Sequence, residues 1–130
     1  MARRSAALTK KVLVVDDTRV SAELAHAILA HVGVDADIAR SGQEALTWLD
    51  ANEAALILSD WRMPGMSGQE LAQAIRQRYA QGHPPWLIAY TAYAEEADRT
   101  QILLAGFDAV IQKPVRPDFL ARTVKSWLAR

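Results

Sequence analysis

Hydrophobic residues along this chain alternate between two patterns: short unbroken runs, and longer stretches in which they recur every three or four positions. Val12-Leu13-Val14-Val15, Ala55-Leu56-Ile57-Leu58 and Trp86-Leu87-Ile88-Ala89-Tyr90-Thr91 are runs of the first kind. None is interleaved with polar residues, which is how strands buried on both faces of a parallel sheet read. Val34 to Ala39 is a weaker run, with Ile38 its best apolar residue, and Ala109 to Gln112 a short fifth one. Helical periodicity follows each run. Thr18 is placed to cap a first helix with Val20, Leu24, Ala27 and Ile28 on its apolar stripe, His31 next on that stripe and Gly33 ending it. Ser41-Gly42-Gln43-Glu44 has the form of a capping box ahead of Ala45, Leu46, Trp48 and Leu49, and Asn52 ends that helix. A third helix from about Gly68 to Tyr79, capped by Ser67, turns Leu71, Ala72, Ile75 and Tyr79 inward before Gly82, Pro84 and Pro85 break the chain. Residues 95–105 form a fourth with a poor apolar stripe, stopped by Gly106. The last has Pro117 and Asp118 in its first turn and buries Leu120, Val124, Trp127 and Leu128.

Strand and helix alternating five times predict an α/β fold. The expected architecture is a doubly wound five-stranded parallel sheet with right-handed crossovers, helices on both faces and the flavodoxin-like strand order 2-1-3-4-5. At 130 residues the chain makes one domain with room for a real core. Residues 1–10, with Arg3, Arg4 and Lys10 but little apolar content, read as a flexible N-terminal leader and not a signal peptide. The domain proper is expected over residues 11–130. The last helix reaches almost to the final residue, so no further domain is expected after it.

Composition narrows the function. Fifteen Lys and Arg against fifteen Asp and Glu leave no net charge, which argues against direct nucleic-acid binding. Without cysteine there are no disulfides, thiolate metal sites or thiol nucleophiles. No apolar run is long enough to span a bilayer, so no membrane association is expected and a cytoplasmic location is. His26 and His31 lie five apart and do not share a helix face, so zinc is not expected there.

The chemistry gathers at the strand ends. In this fold the carboxyl ends of the strands lie along one edge, where open α/β sheets bind ligands. The first strand ends at Asp16-Asp17, the third at Asp60, the fourth at Thr91 and the fifth at Lys113-Pro114. Each residue alone reads as a turn former, a cap or a solvated charge. Five of them, each at a strand tip, read as a site. Three carboxylates in one place repel unless a cation or protons intervene, and an all-oxygen donor set selects a hard cation, Mg²⁺ first among them. A hydroxyl and an ammonium facing a metal-bound carboxylate are what a phosphoryl group needs, and Asp is a known nucleophile in aspartyl-phosphate chemistry.

Val12-Leu13-Val14-Val15-Asp16-Asp17, Asp60-Trp61-Arg62-Met63-Pro64-Gly65-Met66-Ser67-Gly68, Thr91-Ala92 and Lys113-Pro114 agree in order and spacing with a known pattern. The chain resembles a response-regulator receiver domain of two-component signalling from about Lys11 to its C-terminus. The resemblance implies that Asp60 is the phosphoacceptor and that Asp16, Asp17, Asp60 and the backbone carbonyl of Arg62 hold Mg²⁺, Asp17 directly and Asp16 chiefly through water. It further implies that Thr91 and the amide of Ala92 bind phosphoryl oxygens, that Lys113 forms an ion pair with the site, and that the Lys113-Pro114 bond is cis. The expected donor is a histidine kinase or a histidine phosphotransfer protein. The signal is expected to pass through a partner-binding surface to an output protein that the sequence does not identify. The chain would act as a stand-alone receiver or as the receiver piece of a hybrid kinase, catalysing only its own phosphorylation and dephosphorylation.

Two positions depart from the family pattern. The aromatic residue usual three positions before the lysine is Val110 here, too short and too stiff to fill the space Thr91 would vacate on activation. Tyr90 stands where an aliphatic residue is usual. Signalling is therefore expected to run through the loop from Thr91 to Glu96. Arg62 and Tyr93 occupy variable positions that, in the family, influence how long the phosphoryl group lasts. Rival readings are a Mg²⁺-dependent phosphatase with an aspartyl nucleophile, a flavin carrier on the same fold, and a phosphorylation-independent interaction domain. The adjacency of Asp16 and Asp17 and the short chain weigh against the phosphatase. Those two acids would repel a flavin phosphate.

Overall fold

In the computed structural model, which describes residues 11–130, five parallel strands form one sheet in the order β2-β1-β3-β4-β5. The elements follow strictly in turn: β1 (Val12–Val15), α1 (Arg19–His31), β2 (Ala36–Ala39), α2 (Gly42–Ala51), β3 (Leu56–Ser59), α3 (Gly68–Arg78), β4 (Trp86–Thr91), α4 (Glu96–Ala105), β5 (Ala109–Gln112) and α5 (Pro117–Leu128). The doubly wound sheet and its strand order are as the alternation predicts. The leader over residues 1–10 lies outside the described residues.

Alternate residues of each strand feed two separate cores. Leu13, Val15, Ile57, Leu87 and Ala89 pack with α2, α3 and α4. Val12, Val14, Leu56, Leu58, Ile88 and Ile111 pack with α1 and α5. Because both faces are covered, every residue of β1 and β3 is buried, and the unbroken apolar runs follow from that. Val15 pairs with Ser59, Ser59 with Ala89, and Thr91 with Gln112, so the ends of β1, β3, β4 and β5 advance together to one edge.

Several local signals act as read, and some act differently. Ser67 and Glu70 complete a reciprocal capping box on α3. Ser41 accepts from the Glu44 amide, but the Glu44 carboxylate reaches one residue further back, to the amide of Arg40 at 3.0 Å. Thr18 does not cap α1 with its side chain; the Asp16 carboxylate accepts the Thr18 amide instead, at 2.9 Å. The apolar stripe of α1 is also rotated from the expected one. Val20, Leu24 and Ala27 face solvent, Ile28 is half-buried, and Ala22, Ala25 and Leu29 are the buried residues. Small side chains let the helix backbone sit close to the sheet, and a reading that weights residues by size passes over alanines. Strand β2 is shorter than expected, and its Ile38 is half-buried while Ala36 and Ala39 are buried.

The two stripes of α1 make a direct test. Leu29→Ala is expected to cost about 2–5 kcal/mol, the usual range for emptying a fully buried leucine site. Leu24→Ala should stay within about 0.5 kcal/mol, as exposed substitutions do. Urea unfolding of both variants would check this; a costly Leu24→Ala would mean that the helix is turned the other way.

Candidate functional site

Residues from strands far apart in sequence meet at the carboxyl edge. Asp16 follows β1, and its amide continues the pairing with β2 by donating to the Ala39 carbonyl at 3.1 Å. Asp60 follows β3, and its amide donates to the Val15 carbonyl at 2.9 Å. The two aspartates are therefore held by adjacent backbones, not by loops, and both are buried, at 2% and 9% exposure. Lys113 follows β5, where its amide donates to the Thr91 carbonyl at 2.9 Å. The Lys113-Pro114 peptide is cis.

The Lys113 ammonium joins these groups. Its Nζ lies 2.7 Å from Asp16 Oδ2 and 3.2 Å from Asp60 Oδ2. Burial works against the charge on Lys113, but the hydrogen bonds and attraction of Asp16 and Asp60 outweigh it and hold its pKa above the ordinary lysine value. The other oxygen of Asp60 accepts from the Trp61 amide at 2.7 Å. Asp17 completes the group: Asp16, Asp17 and Asp60 each offer a carboxylate oxygen within 4.8 Å of the others. Three carboxylates against one ammonium leave the cluster with excess negative charge, and a hard cation fits its all-oxygen donor set.

Thr91 is fully buried at the end of β4, and its hydroxyl oxygen accepts from the Tyr93 amide at 3.1 Å. Ala92, next to it, is exposed. These two stand at the neighbouring strand end and make no hydrogen bond to Asp60 among the described residues. Arg62 turns outward, away from the acidic cluster. Its guanidinium lies 4.1 Å from the centre of the Tyr93 ring and 3.4 Å from Asp98 of α4. Trp61 is buried edge-on against Phe107, their ring centres 5.9 Å apart. Val110 is half-buried and packs on the α2–α4 side of the sheet.

Some contributors have no clear signal in the chain. Ser59, fully buried, donates its hydroxyl hydrogen bond to the Asp60 carbonyl at 2.9 Å, and a polar residue ending an apolar run is the only hint of it. Arg40 donates to the Asp17 carbonyl at 3.1 Å from 23 residues away, with no sequence signature. Gly68 opens α3 so close to the site that a Cβ there would lie 2.7 Å from the Asp60 carbonyl oxygen and 2.9 Å from backbone atoms of Trp61. Only glycine lets α3 start against the Asp60 turn.

Residues 12–125 match the response regulator receiver domain family. The chain is 34% identical to a hybrid signal transduction histidine kinase of Dictyostelium discoideum over 95% of its own length and 7% of the kinase. It is 32% identical to the polar-differentiation response regulator DivK of Brucella ovis over 93% of its length and 98% of that protein. The chain thus spans a small part of one relative and nearly all of the other. Among solved structures, the receiver domain of the Francisella response regulator 1452 superposes with a TM-score of 0.83 at 28% identity, covering 93% of this chain and 98% of that one.

The lysine bridge carries a pH-dependent share of stability. Lys113→Met leaves Asp16 and Asp60 facing each other without a cation and is expected to cost about 1–3 kcal/mol in metal-free buffer at pH 7. Folding raises the Lys113 pKa, so this contribution is fully present below the unfolded lysine value of about 10.4 and is lost as pH rises through the higher folded value. Unfolding midpoints of the parent and Lys113→Met, followed from pH 7 to 11, should run parallel up to about pH 10 and converge above it. A constant gap through pH 11 would rule out the charged bridge as its source.

Proposed function

The chain belongs to the response regulator receiver domain family, phosphoryl-accepting signalling modules, and on that footing we propose that Asp60 takes a phosphoryl group from a phosphohistidine protein in a Mg²⁺-dependent step. The supporting observation is the meeting of Asp16, Asp17, Asp60 and Lys113 at one sheet edge, with Asp60 in direct contact with the ammonium. A carboxylate oxygen of Asp60 forms the new O–P bond as the P–N bond to the donor histidine breaks. The electron pair returns to the imidazole nitrogen, which takes up a proton. Attack of water on phosphorus later restores the carboxylate and releases inorganic phosphate.

Asp16, Asp17, Asp60 and the backbone carbonyl of Arg62, two residues past Asp60, would hold Mg²⁺. The ion supplies charge neutralisation for the phosphoryl oxygens. Lys113 supplies the protein's own positive charge on the same side, and because it is already paired with Asp60 it does so without large rearrangement. The Thr91 hydroxyl and Ala92 amide bind phosphoryl oxygens from the β4 end. The donor is a histidine kinase or histidine phosphotransfer protein, the output is a partner protein bound at a surface, and the setting is cytoplasmic. Among the described residues no helix is long and apolar enough to cross a membrane.

Val110 in the usual aromatic position shifts the switch to the loop after β4. Thr91 accepts the Tyr93 amide, Tyr93 carries the Arg62 guanidinium, and Arg62 reaches Asp98 on α4. When Thr91 turns to a phosphoryl oxygen, this chain of contacts transmits the change to α4. The bias comes from the differential contacts of the phosphoryl group with the two states.

Two measurements bear on this. With Mg²⁺ and a small donor such as acetyl phosphate, intact mass should rise by one phosphoryl group, acid-stable and alkali-labile. Asp60→Asn should stay unlabelled; if it labels as well as the parent, Asp60 is not the acceptor. Separately, Mg²⁺ should change tryptophan emission through Trp61, with Trp61→Phe as control, and raise the unfolding temperature by mass action. No change in either at several millimolar Mg²⁺ would rule out the metal site.

A further inference from the structure

A lysine ammonium has three donors on a flexible stem, and the two carboxylates at Lys113 account for two of them. The third side faces an aromatic ring: Nζ lies 5.0 Å from the centre of Tyr90. From this we propose that Tyr90 is a positioning residue for Lys113, its ring face holding the ammonium at the Asp16–Asp60 pair so that it is in place when phosphoryl transfer occurs. The inference rests on Asp60 being the acceptor.

The sheet explains how the two residues meet. Tyr90 pairs with Ile111 across the β4–β5 ladder, and both belong to the core facing α1 and α5. Lys113 stands two residues after Ile111, and its amide still pairs with β4. It therefore leaves the backbone on the face that carries Tyr90. Its ammonium lies over that ring where it meets the carboxylates at the edge. The ring cannot retreat. It is 6% exposed and shares its core with Ile88, Ile111 and Leu120.

An ammonium within about 6 Å of a ring centre is attracted by the ring's electron-rich face, and more strongly where water is excluded. Here the lysine side chain is 18% exposed. An aliphatic residue in place of Tyr90 would give dispersion contact without this attraction. The ring also does what a third carboxylate could not: it holds the cation without adding negative charge to a site that already carries an excess. Asp16 stands closer to Nζ than Asp60 does, at 2.7 against 3.2 Å. A broad π face lets the ammonium shift from Asp16 toward Asp60 without losing its support. No hydrogen bond to the Tyr90 hydroxyl is found among the described residues, so the face of the ring is the acting part.

The test compares Tyr90→Phe, which keeps the ring, with Tyr90→Leu, which restores the aliphatic residue. Initial rates of Asp60 labelling by acetyl phosphate with Mg²⁺ are read by intact mass. Tyr90→Phe should match the parent, and Tyr90→Leu should be slower by about fivefold, the ratio that about 1 kcal/mol of lost cation–π attraction gives. Equal rates for Tyr90→Leu and the parent would overturn the proposal. A Tyr90→Phe variant as slow as Tyr90→Leu would also overturn it, by assigning the effect to the hydroxyl. Proton NMR of the unphosphorylated protein gives a second readout that needs no reaction. The Lys113 ε-methylene protons should be shifted upfield by the ring in the parent and in Tyr90→Phe, and an unshifted signal in the parent would refute the contact. Circular dichroism confirms folding, with Tyr90→Met in reserve if Tyr90→Leu fails to fold. A parent that takes no label at Asp60 marks failure of the acceptor assignment, and the NMR shift still decides the contact.

Discussion

One ammonium between two buried carboxylates joins the beginning, middle and end of this domain. Lys113 lies 97 residues from Asp16 and 53 from Asp60 along the chain, yet touches both. Such a contact forms only when β1, β3 and β5 are all in register, because each partner extends its strand by one backbone hydrogen bond beyond the regular ladder or directly at its end. Two hydrophobic cores, one on each face, hold those strands in place. The polar edge is thus positioned by apolar packing, and the lysine reports on the whole sheet. Its charge survives burial because two anions surround it.

The same arithmetic of charge gives the edge its chemistry. One cation does not neutralise three carboxylates, so the site is electrostatically incomplete and suited to a hard cation and then to a phosphoryl group. What keeps Asp16 and Asp60 together despite their repulsion is that their backbones are already paired in the sheet, with Asp17 following directly after Asp16. Gly68 adds a steric condition, since α3 can begin this close to Asp60 and Trp61 only where no side chain intervenes.

Around this rigid centre lie contacts of a different kind. Arg62, Tyr93 and Asp98 connect the loop after β3 to the loop after β4 and to the first turn of α4 through exposed, individually weak contacts. Asp16 and Asp60 are buried and Lys113 half-buried, whereas Arg62 and Tyr93 are exposed.

The fold and the meeting of Asp16, Asp17, Asp60 and Lys113 at one edge were legible in the chain because each rests on local pattern. Unbroken apolar runs mark strands covered on both faces, and an acid or lysine directly after such a run can only lie at the carboxyl edge. Ser67 with Glu70 and Pro117 likewise act within a few residues of themselves. What the chain did not disclose depends on which surfaces meet in space. The buried face of α1 is built from Ala22, Ala25 and Leu29 and not from the larger Val20 and Leu24, because close approach to the sheet favours small residues. Thr18 makes no side-chain cap to α1, and its own amide is instead taken by the Asp16 carboxylate. The pairing of Arg40 with the Asp17 carbonyl and the stacking of Arg62 on Tyr93 likewise required the folded chain. Periodicity along a sequence specifies which side of an element is apolar. Which of two apolar stripes is buried, and which ring lies under a lysine, is decided only when the elements pack and compete for the same space.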